Sequence, residues 1–273
     1  MKIGSELESY VLGHSDEELV RLERQAEIFS EATEAILSLA GLRTGMRVLD
    51  LGCGVGDVSL IAARLVGAEG RVVGIDRAEE ALSTARRRVA AAGLSNITFE
   101  SRDIEALQDV EPFDAVIGRF ILMHLPRSAA ILADLKSVVV PNGLLAFIEM
   151  DISSSSAVPP MPLFTRCLDW ITTLYRRAGM EPDMGSKLYG VFRAAGLAPH
   201  LHGICRVEGG PDATAYDYVA ETIRTMSPNL QKLGLATAEE LDVETLSARL
   251  RQASLEADTC FVFPRFVGAW ART

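Results

Sequence analysis

The stretch VLDLGCGVGDVSL, Val48 to Leu60, sets Gly52, Gly54 and Gly56 two apart between an apolar run and a segment of helical pattern. A strand ending in such a loop lets backbone approach a ligand closely and aims helix N–H groups at it. Glycine-rich turns also arise for steric reasons alone, so the loop needs a partner. The next apolar run, RVVGID, supplies one in Asp76. There a carboxylate can accept both ribose hydroxyls of an adenosine-containing cofactor, although a strand-ending Asp also serves as a helix N-cap. In ESRDIEAL, Asp103 offers an acceptor to an exocyclic amine and Ile104 a backbone N–H to a ring nitrogen. Those are two edges of an adenine.

Two cofactor classes use this geometry. A dinucleotide oxidoreductase normally shows G-x-G-x-x-G with a pyrophosphate on the helix start, whereas this chain reads G-x-G-x-G followed by Asp57. A carboxylate there repels a pyrophosphate and tolerates a ligand carrying an ammonium and a sulfonium. A nicotinamide-dependent oxidoreductase is therefore the alternative reading, with a catalytically silent cofactor-binding protein as a third.

Positioning these residues requires alternating strands and helices. MRVLDL, RVVGID, ITFES, FDAVIG and GLLAFIEM read as five strands, with helical patterns at 58–65, 79–92 and 127–139, the last ahead of a Pro141-Asn142-Gly143 turn. PHLHGICRV and CFVFPRFVGAWAR read as two further strands because β-branched and aromatic residues are dense there. The expected fold class is α/β, a Rossmann-like doubly wound sheet of seven strands, mostly parallel with the last antiparallel, carrying helical lid insertions. The expected organisation is an N-terminal helical cap at 1–45 and the sheet domain at 46–273, with insertions at about 160–180 and 209–257. Segments 10–29, 162–179 and 211–255 are expected to form a lid. The serine run Ser153 to Ser156 reads as a flexible exit from the fifth strand.

VLDLGCGVG, VVGIDRAEEAL, RDIEAL and FDAVIGRFILMHLP occur in an order and spacing that resembles the class I S-adenosylmethionine-dependent methyltransferases, over roughly residues 10–150, with a weaker echo in VGAWAR. The likeness is to the small-molecule type. It implies S-adenosylmethionine as cofactor, Gly52 and Gly54 beside its methionine part, Asp76 on the ribose and Arg77 along the adenine. It further implies Asp103 and Ile104 on the adenine edge and Arg119 near the amino acid end. Such enzymes also carry a Y-x-x-G segment and an R-L-x-x-Q helix that cover the cofactor, which here are Tyr10 to Gly13 and Arg21 to Gln25 and bring Tyr10 and Gln25 into the expected site. After the fourth strand this chain reads Gly118-Arg119-Phe120-Ile121, without the Asp or Asn, two prolines and aromatic of amino-methylating enzymes acting on nucleic acids. It also lacks the carboxylate of metal-dependent catechol methylation, so no metal is expected.

Methyl transfer is an in-line displacement, which mainly requires alignment and exclusion of water, and only some acceptors need a base. His124, in LMHLP, follows the fourth strand where such sites open; it is a candidate general base and equally a candidate cap for the helix starting near Pro126. His200 and His202 share a strand face but have no third ligand nearby and read as ordinary histidines. Glu149 and Asp151 read either as acceptor ligands or, preferred here, as solvated groups. Aromatic residues in the insertions, among them Phe164, Trp170, Tyr175 and Tyr216, read first as core and second as the wall of a pocket for a small, largely apolar acceptor.

Composition narrows the class. Hydrophobic residues at 48% and charged residues at 23% fit a globular chain, and no apolar run approaches the roughly 18 residues of a membrane span. The acidic, polar start MKIGSELESY is unlike a secretory signal, so the expected location is the cytoplasm with no membrane partner. A net charge of −10 opposes a phosphate backbone, so no nucleic acid is expected and the expected partner is a small-molecule methyl acceptor. Cys53, Cys167, Cys205 and Cys260 are scattered without a C-x-x-C pair and read as reduced thiols.

Overall fold

A computed structural model describes residues 16–105, 107 and 110–273, excepting the side chains of 16–24, 26 and 27. The strands in chain order are β1 (Arg47–Leu51), β2 (Arg71–Asp76), β3 (Ile97–Ser101), β4 (Phe113–Arg119), β5 (Val139–Asp151), β6 (Ser156–Val158), β7 (His200–Ile204), β8 (Val207–Gly209), β9 (Cys260–Val262) and β10 (Arg265–Arg272). Seven of them form a Rossmann-like mixed sheet in the order β3, β2, β1, β4, β5, β10, β7, with six strands parallel, one antiparallel and helices flanking it. β6, β9 and β8 form a small separate sheet.

Burial on both faces explains the apolar runs: four of the five residues of β1 and six of the seven of β4 are buried. β1 pairs in parallel with β2 on one side and with β4 on the other. The chain order therefore reverses between β1 and β4, and a crevice opens beyond their carboxyl ends. Leu51 is in register with Gly118, so the glycine loop after β1 and the residues after β4 leave the sheet at the same edge.

Local sequence fixes the helices that aim at this crevice. Helix Asp57–Val66 begins at Gly56, whose φ of 85° only glycine adopts without strain, and ends at Gly67, whose N–H returns to the Ala63 carbonyl. Its buried Val58, Ile61, Ala62 and Val66 recur at helical spacing. Helix Glu79–Ala91 carries Glu79 and Glu80 in its first turn, where the helix dipole favours them.

The chain divides into two compact units. One comprises Phe29–Glu149, Met184–Gly203 and Phe266–Thr273 and contains most of the large sheet. Its core is centred on Phe147, Leu49, Ile75, Ile117 and Leu122, and Ile36 of helix Asp16–Ala40 packs so closely on β10 that Gly268 has no room for a Cβ. The other comprises the described residues up to Ile28 with Met150–Asp183 and Ile204–Arg265. Helices Pro162–Arg177, Ala215–Lys232 and Leu246–Glu256 build it around Phe261, whose ring meets Phe164 at 4.9 Å and Tyr216 at 5.4 Å, edge to face. The aromatic residues of the insertions are thus largely core, whereas Tyr189 is exposed.

Several local expectations change. Pro141-Asn142-Gly143 lies inside β5 as an irregularity: pairing with β4 passes from Phe113↔Val139 to Ala115↔Leu144, and Asn142 takes φ 61° in the extra residues. PHLHGICRV breaks into β7 and β8, and CFVFPRFVGAWAR breaks at Phe263-Pro264 into β9 and β10, which belong to different sheets. Helix Met184–Ala194 was not expected from the sequence pattern. The serine run is ordered rather than flexible: Ser153 donates from N and Oγ to Asp183, and Ser154 Oγ donates to the Asp151 carbonyl and accepts from Arg265 N.

Candidate active site

The three glycines of the loop differ in what requires them. Gly52 has φ 63°, and a Cβ there would stand 2.6 Å from Ile121 Cδ1. Gly56 has φ 85°, and a Cβ would stand 3.1 Å from both Ala85 and Phe99. Gly54 has φ 52° but its Cβ would meet nothing within 4 Å, so its front is open. Two glycines therefore serve packing behind the loop, and the middle one leaves room for a ligand.

Asp76 holds that loop in place. Its Oδ2 accepts from Gly54 N at 2.9 Å and its Oδ1 from Ala78 N at 2.9 Å. Asp76 does not cap the helix that follows, whose N-cap is Ala78 without a side-chain hydrogen bond; an ionised carboxylate has about four lone-pair sites, so the two amides leave others free. Asp103 is exposed; its Oδ1 accepts from Glu105 N at 2.9 Å, and Arg77 Nη1 lies 3.7 Å from its Oδ2 in a pair too exposed to matter for stability. Ile104 lines a cavity of about 550 Å³ with Leu107, Arg127 and Ile131.

Asp57 does not present a bare charge to the loop. Its side chain is largely buried, with Arg88 Nη1 2.6 Å from Oδ1 and Arg119 Nη2 3.5 Å from Oδ2. The first contact is an ion pair without hydrogen-bond alignment, since Arg88 Nη1 donates to the Val55 carbonyl at 2.8 Å. Neutralisation by two guanidiniums weakens the argument that Asp57 excludes a pyrophosphate. Arg119 is buried, donates from Nη1 to Thr33 Oγ1 at 3.0 Å and stacks on the ring of Phe120 at 5.5 Å.

Two buried carboxyl groups carry shifts whose first cause is desolvation. Asp50, at the end of β1, is raised to about 7 against a lowering hydrogen bond from Ser59 Oγ at 2.6 Å. Glu149, at the end of β5, is raised to about 8 against lowering hydrogen bonds from the Leu122 and Ile121 amides. Glu149 and Asp151 are 0% and 2% exposed, so the solvated reading of both is wrong. Asp151 Oδ2 accepts from Arg265 Nε and Nη2, at 3.0 and 2.6 Å. The sequence signal for these groups was slight: a single carboxylate inside an apolar strand, as in VLDLG and AFIEM.

His124 ends the turn Leu122–His124 and is exposed. The protein packed round it lowers its imidazole pKa and the Asp76 carboxylate opposes this. Because the residue still meets water, the fall is smaller than full burial of the ring would bring, and the neutral, proton-accepting form prevails at neutral pH. The turn supplies no side-chain cap to the helix that follows, Ser128–Leu135, whose N-cap is Arg127. Gln25 is buried in the helical unit, and Tyr10 lies outside the described residues. His200 stacks on Trp270 at 6.2 Å, and all four cysteines are free. Among the described residues no group of three or more His, Cys, Asp or Glu could hold a metal, and no helix is long and apolar enough to cross a membrane.

Two features decide whether these residues suit an S-adenosyl group: the open front of Gly54, and the spare lone pairs of Asp76 beside it. Both fit. Comparison with known proteins agrees in family and fold. Residues 42–196, more than half of the chain, match the family described as a methyltransferase domain. Aklanonic acid methyltransferase DauC of a Streptomyces species is 34% identical over 122 residues, covering 44% of this chain and 56% of the relative. The ubiquinone/menaquinone biosynthesis C-methyltransferase UbiE of Teredinibacter turnerae is 31% identical over 177 residues, covering 59% and 71% respectively. The chain spans about half the length of the curated relatives it matches first. The crystal structure of the YcgJ protein from Bacillus subtilis superposes with a TM-score of 0.59 at 14% identity over 89% of this chain and 98% of that one, a likeness of fold alone.

Proposed function

Since the chain belongs to the methyltransferase-domain family, we propose that it transfers a methyl group from S-adenosylmethionine to a small, largely apolar organic acceptor. The observation that carries the reading is the pairing of an open Gly54 with a carboxylate, Asp76, held beside it by two amides. S-adenosylmethionine supplies a methyl carbon activated by a positive sulfur, which an acceptor atom displaces in line. In this reading Asp76 takes the ribose hydroxyls, Gly52 and Gly54 border the methionine part, and Arg77, Asp103 and Ile104 border the adenine. Arg119 and Asp57 stand toward the amino acid end as an opposite-charge pair. His124, neutral and exposed, takes the acceptor's proton where the acceptor needs a base.

The relatives named above act on aklanonic acid and in quinone biosynthesis, which supports an acceptor of the phenol, quinone or polyketide kind and methylation at oxygen or carbon. The excess of acidic residues opposes a nucleic acid as acceptor, and cytoplasmic action on a diffusible molecule fits the same reading. The test is mass spectrometry of protein incubated with S-adenosylmethionine and a panel of phenols, quinones, amines and keto acids. A gain of one methyl with release of S-adenosylhomocysteine is expected for at least one apolar ring compound. Binding of the cofactor with no turnover on any member would favour the catalytically silent alternative.

A further inference from the structure

The segment from Phe120 to His124 leads from β4 onto the rim of the crevice, and its backbone is unusual. Phe120 has φ 56°, a left-handed conformation that a bulky residue keeps only where its surroundings hold it. The chain then makes the short turn Leu122–His124, whose N-cap, Ile121, has no side chain able to satisfy the first free N–H groups.

The missing partners come from β5. Phe120 N donates to the Ile148 carbonyl at 2.9 Å. From the next residue, Glu149 Oε1 accepts from Ile121 N at 3.0 Å and Leu122 N at 2.7 Å. His124 N in turn donates to the Ile121 carbonyl at 3.1 Å, and Leu125 N to the Leu122 carbonyl at 3.1 Å. The histidine thus hangs from Ile121, and Leu125 from Leu122, the two residues that Glu149 grips. Glu149 itself is wholly buried, and its Oε2 has no partner among the described residues.

We propose that Glu149 is the positioning residue of this site: its carboxyl clamps the Ile121 and Leu122 amides and so fixes the turn that presents His124. Burying a carboxyl is unfavourable unless it is bonded, and here the bonds are those that a turn following a strained residue otherwise lacks. An apolar side chain of similar size would fill the space and leave the donors unpaired. The role in catalysis rests on the methyl-transfer reading, but the clamp does not.

Two variants test it. Glu149→Gln keeps an uncharged oxygen acceptor in place, and Glu149→Leu fills the volume without one. The readouts are hydrogen exchange of the Ile121 and Leu122 amides and the NMR titration of His124, its signal assigned with His124→Ala. In Glu149→Leu the amides should exchange about tenfold faster or more, and the imidazole pKa should rise toward about 6.5. Glu149→Gln should keep both near the parent values. Unchanged exchange in a folded Leu variant, or loss of protection in the Gln variant, overturns the clamp. Where the Leu variant does not fold, the Gln variant decides alone: retained protection supports the clamp and lost protection rejects it. Loosening as expected in a protein that binds no S-adenosylhomocysteine would leave the clamp standing and remove the functional reading instead.

Discussion

At the scale of single residues, the account turns on which carboxylates and which histidine meet solvent or ligand. For His124 the cap reading is gone, and one variant tests the base reading. As a base, His124→Ala lowers kcat by on the order of 10² to 10⁴ with cofactor affinity nearly intact. Since His124 caps no helix, a variant with kcat hardly changed would remove the imidazole from the chemistry; turnover and cofactor affinity, measured together, decide. The two buried acids give a pH prediction with a definite sign. Burial raises Glu149 from 4.5 to about 8 and Asp50 from 3.8 to about 7, so between those values the folded chain binds more protons than the unfolded one. Their contribution is most favourable below the unfolded values, falls as pH rises through this window and levels off above it. Glu149→Gln removes one of the two, so its urea midpoint should fall less between about pH 5 and about pH 8 than that of the parent. An equal fall would mean that Glu149 does not titrate as described.

At the scale of elements, the glycine loop separates packing from binding. Gly56→Ala forces a side chain into φ 85° against Ala85 and Phe99 and should cost about 2–4 kcal/mol, from left-handed strain plus overpacking. Gly54→Ala meets only the strain, about 1–2 kcal/mol, and its methyl projects into the open front. It should therefore weaken S-adenosylhomocysteine binding out of proportion to its effect on denaturant midpoint, and an equal ranking of both variants in both measurements would contradict this division. The loop, the β1, β2 and β4 runs and Asp76 were legible because backbone-limited turns and doubly buried strands restrict residue type strongly. What was not legible depends on contacts distant in sequence. A lone carboxylate in VLDLG or AFIEM hints only slightly that Asp50 and Glu149 point into protein, and the sequence around Asp57 does not reveal Arg88 and Arg119 beside it. Pro141 to Gly143 have turn composition, yet β4 pairing carries the strand through them as an irregularity. CFVFPRFVGAWAR has one continuous strand pattern and still serves two sheets, because Pro264 breaks a ladder that composition alone extends.

At the scale of the whole molecule, the charge of −10 and the absence, among the described residues, of a three-ligand cluster bear on how the chemistry is run. Gly118, near the end of β4, is hemmed in by Ile121 and Phe147, which leave no room there for a metal-binding side chain. Activity should survive a strong chelator; loss that returns on adding magnesium or zinc would contradict the metal-free proposal. The central claim, that the crevice beside the glycine loop takes an S-adenosyl group, is tested most directly by titration calorimetry of S-adenosylhomocysteine into the parent protein and into Asp76→Asn. The Asn variant keeps an acceptor for one loop amide while losing the charge, so charge-assisted bonds of about 1.5–3 kcal/mol should weaken or vanish. The account predicts saturable binding by the parent and an affinity at least about tenfold lower in a folded variant; no binding by the parent, or the same affinity in both, would contradict it.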